Sequence, residues 1–230
     1  MSDARDEVLA RVRAALGRPV EPGAPGAPGA PGAPSAPAPV ERAYRRAGSL
    51  AAAGDAALVD RLVDRLEDYR ATVVRCTAAD LPAAVAAQLA GAGSVAVPPG
   101  LDPAWVAALD GRVGVRVDDP DAPLTHADLD GVGAVLTACR VAVAETGTIV
   151  LDAAPDQGRR VLTLLPDRHL CVVRAGQVVA GVPDAVAVLG AHPERPQTWI
   201  SGPSATSDIE LVRVEGVHGP RDLRVLLVDP

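Results

Sequence analysis

Leu58-Val59-Asp60-Arg61-Leu62-Val63-Asp64-Arg65-Leu66-Glu67-Asp68-Tyr69-Arg70-Ala71-Thr72-Val73-Val74 decides the fold class. Leu58, Val59, Leu62, Val63 and Leu66 recur at helical spacing as one apolar face, opposite Asp60, Arg61, Asp64, Arg65 and Asp68. The β-branched run Thr72-Val73-Val74 then predicts a strand. Outward from this pair the alternation continues: Ala83 to Ala90 predicts a helix, Ser94 to Val97 a strand, Pro103 to Leu109 a helix and Val113 to Val117 a strand. Helices alternating with strands predict an α/β domain, a mainly parallel sheet with helices packed on it. Beyond Val132 the spacing tightens. Val132 to Thr137, Val141 to Ala144, Thr148 to Leu151 and Leu170 to Val173 are too close for a helix between every pair, so some pairs are expected antiparallel and the sheet mixed. Pro183 to Leu189 predicts a helix, a short strand ends at Ile200, and Leu223 to Val228 predicts a last strand.

Upstream the pattern differs. Val8, Leu9, Val12 and Leu16 form an apolar stripe, with acids in the first turn, arginines later and Gly17 past the end, which predicts an amphipathic helix within residues 1–20. Residues 21–39 repeat Gly-Ala-Pro, have nothing to bury, and predict an extended linker. The α/β domain is expected over 40–230. The helix is either a dispensable appendage or a tethered element docking on a partner.

Composition excludes several functions. The formal net charge of -7 disfavours nucleic acid and anionic membranes as partners. Every basic residue other than histidine is Arg, so P-loop lysines, Schiff bases and pyridoxal phosphate attachment are excluded. Cys76, Cys139 and Cys171 are too scattered for a zinc ribbon or an iron–sulfur cluster, and His126, His169, His192 and His218 have no metal-ligand spacing. No G-x-G-x-x-G or G-x-S-x-G occurs, so no cofactor is expected. The first residues carry charge instead of a signal-peptide core, and the uncharged run Leu81 to Leu101 is broken by Gly91-Ala92-Gly93. No membrane insertion and a cytoplasmic location follow as expectations.

Two polar turns hold the candidate chemistry. In Ala144-Glu145-Thr146-Gly147-Thr148, Glu145 is a candidate nucleophile or base, and Thr146, Gly147 and Thr148 offer hydroxyls and close backbone approach. Taken alone, a hairpin turn with Glu145 in solvent explains this segment as well. In Ile200 to Pro220, Ser204, Thr206 and Asp208 precede a predicted helix start at Ser207-x-x-Glu210, where either capping or anion binding would use them. His218 and Gly219 follow in a second turn. Arg160, with Arg159, could clamp a carboxylate or phosphate, although an arginine pair on a loop also reads as a solvated face. His169 is a strand-end histidine or a functional one. The two turns are expected to converge at one end of the sheet around one cavity.

Ala144-Glu145-Thr146-Gly147-Thr148-Ile149-Val150-Leu151, Gly158-Arg159-Arg160 with Leu162 to Asp167, and Ile200 to Glu210 with Gly216-Val217-His218-Gly219-Pro220, in this order, resemble the lactate-utilisation protein C (LutC/YkgG) family, built on the LUD domain. The resemblance covers most of Val132 to Asp229. It implies a three-layer α/β fold similar to the ribose-5-phosphate isomerase, glucosamine-6-phosphate deaminase and CoA-transferase (NagB/RpiA/CoA transferase-like) superfamily. It further implies a subunit without its own iron–sulfur cluster, working with iron–sulfur partner proteins in oxidising L-lactate to pyruvate and binding a small anionic ligand or those partners. The alternative is an acyl- or CoA-transferring enzyme with Glu145 as nucleophile. Whether the chain is itself catalytic stays open at this point.

Overall fold

The computed structural model describes residues 2–16, 43–46, 55–109, 111–203, 205–206, 214–215 and 219–229. It contains two compact units, Met1–Ala43 and Tyr44–Pro230. In the first, helix α1 (Ser2–Ala15) carries an Arg11–Glu7 ion pair one turn apart and leaves Val8 and Val12 exposed. The linker stretch 21–39 lies outside the described residues.

The second unit is α/β. Its elements in order are α2 (Asp55–Asp68), β1 (Thr72–Cys76), α3 (Leu81–Leu89), β2 (Ser94–Val97), α4 (Pro103–Ala107), β3 (Gly114–Val117), α5 (His126–Asp130) and β4 (Ala134–Ala138). There follow β5 (Val141–Val143), β6 (Thr148–Leu151), a 3-10 turn (Arg160–Thr163), β7 (Arg168–Arg174), β8 (Val178–Val179), α6 (Val182–Leu189), β9 (Thr198–Ile200), β10 (Ala205–Thr206), β11 (Val214–Glu215) and β12 (Asp222–Val228). The helix predicted from Ser207 lies outside the described residues. Sequence periodicity missed α5, which Thr125 starts by a reciprocal capping box with Asp128, a Thr-x-x-Asp pattern legible in hindsight.

Parallel and antiparallel pairing segregate. Six strands in the order β1-β12-β7-β4-β2-β3 pair entirely in parallel, whereas β8-β5-β6-β9 form a separate mixed sheet and β10-β11 an antiparallel pair. The expected mixture is therefore divided between sheets. The physical reason is connection length: β5 and β6 are joined by four residues, enough for a hairpin and too few for a parallel crossover. Strands β7 and β12 sit in the middle of the large sheet and are apolar on both faces, as a parallel sheet covered on both sides requires.

Alternate residues define the layers. Leu223, Val225 and Leu227 of β12 and Cys171 and Val173 of β7 face Leu58, Val59, Leu62 and Leu66 of α2, together with Ala142, Ile149 and Leu151 of the smaller sheet. On the other face, Leu226, Val228, Leu170 and Val172 meet Leu81, Val85 and Leu89 of α3 and Trp105 at α4. Helix α5 covers β2 and β4 on the α2 side through Leu129, and α6 covers the outside of the smaller sheet through Ala185 and Leu189. Among the described residues no helix is long and apolar enough to cross a membrane. His169 proves to be a core residue, its Nε2 2.8 Å from the Thr137 hydroxyl.

Leu62 is fully buried between the two sheets. Leu62→Ala removes a side chain that neither sheet can move to replace, and should lower unfolding stability by about 2–5 kcal/mol, read as a reduced urea midpoint with an unchanged slope.

Candidate functional site

The two polar turns meet because β6 and β9 pair antiparallel, with Ile149 opposite Ile200 and Val150 opposite Trp199. That register carries Ser201 opposite Thr148. Their hydroxyls lie 2.8 Å apart, and Thr148 in turn shares a 2.7 Å hydrogen bond with Thr146. Thr148 is buried, so its hydroxyl has lost water and needs both neighbours. Gly147 (φ +63°) turns the β5–β6 hairpin, and a Cβ there would stand 2.7 Å from the Cβ of Arg65. Gly202 (φ +82°) turns the chain after β9 in the same way, its absent Cβ 2.6 Å from that of Tyr69. Both turns thus rest on the last turn of α2 and the residue after it, and in both only glycine combines the left-handed backbone with that close approach.

Two separate clefts flank this contact. One, of about 450 Å³, is lined by Arg65, Asp68, Tyr69, Glu145 and Thr146. Glu145 is one-third exposed there, and one of its oxygens is 3.7 Å from the Arg45 guanidinium. The other, of about 290 Å³, is walled by Arg160, Thr163, Thr198, Trp199, Ser201 and Gly202, with Gly219 and Pro220 just before β12. Arg160 opens the 3-10 turn and is exposed, and its guanidinium has no partner among the described residues. It is also the one charged side chain among the described residues lining that cleft.

The predicted residues therefore divide. Glu145 and Thr146 belong to the first cleft, Arg160 and Gly219 to the second, and Gly147 and Thr148 to the wall between them. Thr206 lies on β10 opposite Val214. Ser204, Asp208 and His218 lie outside the described residues. Sequence reasoning did not select Ser201, Thr163 or Thr198. Ser201 joins the hydroxyl chain only through the β6–β9 register, which a single sequence does not display. Chemically, the second cleft offers a guanidinium, threonine and serine hydroxyls and glycine backbone, which together suit a small carboxylate. Among the described residues no cluster of three His, Cys, Asp or Glu side chains could hold a metal ion.

Comparison with known proteins matches residues 59–228 to the LUD domain. A protein of Deinococcus radiodurans named lactate utilization protein C is 50% identical over 175 residues, covering 75% of this chain and 80% of that protein. Its namesake from Bacillus licheniformis is 30% identical over 115 residues, 47% of each chain. The crystal structure of a DUF162 family protein from Deinococcus radiodurans is similar with a TM-score of 0.65 and 44% identity, covering 76% of this chain and 98% of that one.

Replacing Thr148 by Val keeps its shape and deletes the central hydroxyl of the chain. The variant should lose about 1–3 kcal/mol in urea unfolding, and Thr148→Ser should recover most of it, because the loss is a hydrogen-bonding one.

Proposed function

The chain belongs to the LUD domain family, and from that premise we propose that it serves lactate utilisation as a non-redox subunit. In this reading it holds a small organic anion, lactate or pyruvate, while iron–sulfur partner proteins carry the electrons from L-lactate. The names of the similar proteins support the pathway. The observation that carries the ligand is the unpartnered Arg160 guanidinium in a cleft otherwise lined by hydroxyls, glycines and apolar groups. A guanidinium binds a carboxylate through two parallel N–H···O bonds, and Ser201, Thr163 or Thr198 would take the 2-hydroxyl or 2-oxo group beside it. No carboxylate among the described lining residues opposes the anion, since Glu145 and Asp68 lie in the other cleft.

The arrangement around Glu145 gives less support to acyl transfer. The carboxylate is 3.7 Å from the Arg45 guanidinium, and the Arg65 guanidinium on the same cleft wall is paired with Asp68, so these cations already face carboxylates instead of standing ready for an oxyanion.

Growth complementation tests pathway and cleft together. A deletion strain should fail on L-lactate and grow normally on pyruvate. The wild-type gene and Glu145→Gln should restore growth on L-lactate, and Arg160→Gln should not. Titration of the purified chain with L-lactate and pyruvate should show affinity falling about tenfold or more in Arg160→Gln, the loss of a charge-assisted pair. Undiminished lactate growth of the deletion strain would overturn the pathway assignment, and full rescue by Arg160→Gln the ligand cleft. A covalent adduct with acyl-CoA that Glu145→Gln lacks would favour the enzyme reading instead.

A further inference from the structure

The parallel sheet has a second distinctive place, at the opposite end of its strands from the α2 C-terminus. From β1 the chain crosses to β2 and on to β3 with α3 and α4 on one face of the sheet. It then returns through β4, β7 and β12 with α5, the smaller sheet and the 3-10 turn on the other. A single crossover hand demands this split. Strands β2 and β4 are neighbours whose outgoing connections leave on opposite faces, so a crevice must open beyond their carboxyl ends. In open α/β sheets such a switch point is where ligands bind.

The loop after β6 reaches across that crevice. Gly100, just past β2, donates to the Pro155 carbonyl at 2.9 Å, and Ala138 at the end of β4 donates to the Asp156 carbonyl at 3.0 Å. Between this loop and the ends of β2 and β3 lies a cleft of about 530 Å³, bounded by Pro99, Pro120, Pro123, Ala154, Pro155 and Pro196. That size is within the roughly 300–1,000 Å³ usual for small-molecule sites. Proline and alanine walls lose almost no side-chain freedom when a ligand arrives.

Three further observations show how the walls of the cleft are held. Ala153, on its wall, holds a left-handed backbone (φ +56°), a conformation that costs a non-glycine residue of the order of 1 kcal/mol and survives where the surroundings impose it. Asp152, almost fully buried beside it, is fixed by Arg195 at 3.2 Å and by the Gln157 side chain bonded to its backbone. At the rim, Asp118, just past β3, accepts two 2.7 Å hydrogen bonds from Arg159. Burial opposes the charge of Asp118, yet Arg159 and the Leu124 N–H outweigh it and hold the carboxyl below its usual range. Asp118 thereby offsets Arg159 and leaves Arg160 as the uncompensated charge beside apolar walls.

We propose that this cleft, beside the switch point and bounded by the ends of β2 and β3, is a second binding site, for an organic monocarboxylate with an apolar body larger than that of lactate. Its carboxylate would pair with Arg160 at the mouth, and its hydrocarbon part would replace water against the prolines. The site shares Arg160 with the lactate-sized cleft proposed above and differs from it in its other walls and in size.

Benzoate serves as the probe and benzyl alcohol as its uncharged counterpart, titrated into the isotopically labelled full chain by NMR. Benzoate should give saturable shifts at amides of residues 153–160 and 118–124, with benzyl alcohol about tenfold weaker for want of the charge pair. Ala154→Phe, which fills only this cleft, should abolish the benzoate shifts, and Ala154→Val should weaken them. Thr163→Val, which alters only the other cleft, should leave them intact. If Ala154→Phe perturbs the fold, the Ala154→Val titration decides. Shifts that do not saturate, that persist unchanged in the Ala154 variants, or that map to residues 198–203 would overturn the proposal while leaving the smaller cleft's role to its own test.

Discussion

Both the contact between the two sheets and the two polar turns depend on one face of α2 being buried against both sheets. Leu58, Val59, Leu62 and Leu66 present one apolar face, and that face is shared between the parallel sheet and the smaller sheet. Burying aliphatic side chains this completely contributes on the order of 1.5–3 kcal/mol each. The same packing brings the end of α2 against both polar turns, which can approach only because Gly147 and Gly202 have no side chain to meet Arg65 and Tyr69. The candidate site is thus a consequence of core packing, with its turns held by the helix beneath them.

Most ionic groups are paired at the surface: Arg75 with Asp60 and Asp229, Arg168 and Arg224 with Asp222, and Arg221 with Asp167. An exposed pair such as Arg221–Asp167 adds little stability. The consequence of such pairing is that an arginine without a partner stands out. Arg160 is such a residue, on a short turn that borders both the hydroxyl-lined cleft and the proline-lined one. A chain of acidic net charge can still hold an anion where one guanidinium is kept away from its carboxylates.

The α/β alternation from Leu58 to Val117 was legible because helical and strand periods are local properties, and strand β2 falls on the residues that the pattern indicates. The short α5 was missed because five residues show no period, only a cap. The segregation into two sheets was hidden as well. Apolar runs such as Val141 to Val143 and Leu170 to Val173 look alike in sequence, and nothing in either says which strand lies beside it.

The amino-acid sequence by itself determined the class of fold, the family blocks and the residue types available for chemistry, since each is written within a few neighbouring positions. The tertiary structure alone decided which of those residues meet. Thr148 and Ser201 are 53 positions apart and become hydrogen-bonded through strand register, while Glu145, three residues from Thr148, is turned into a different cleft from Arg160. Strand pairing is non-local, and a shift of one residue would exchange the faces of β9, so the composition of each cleft is fixed only when the sheets pack around α2.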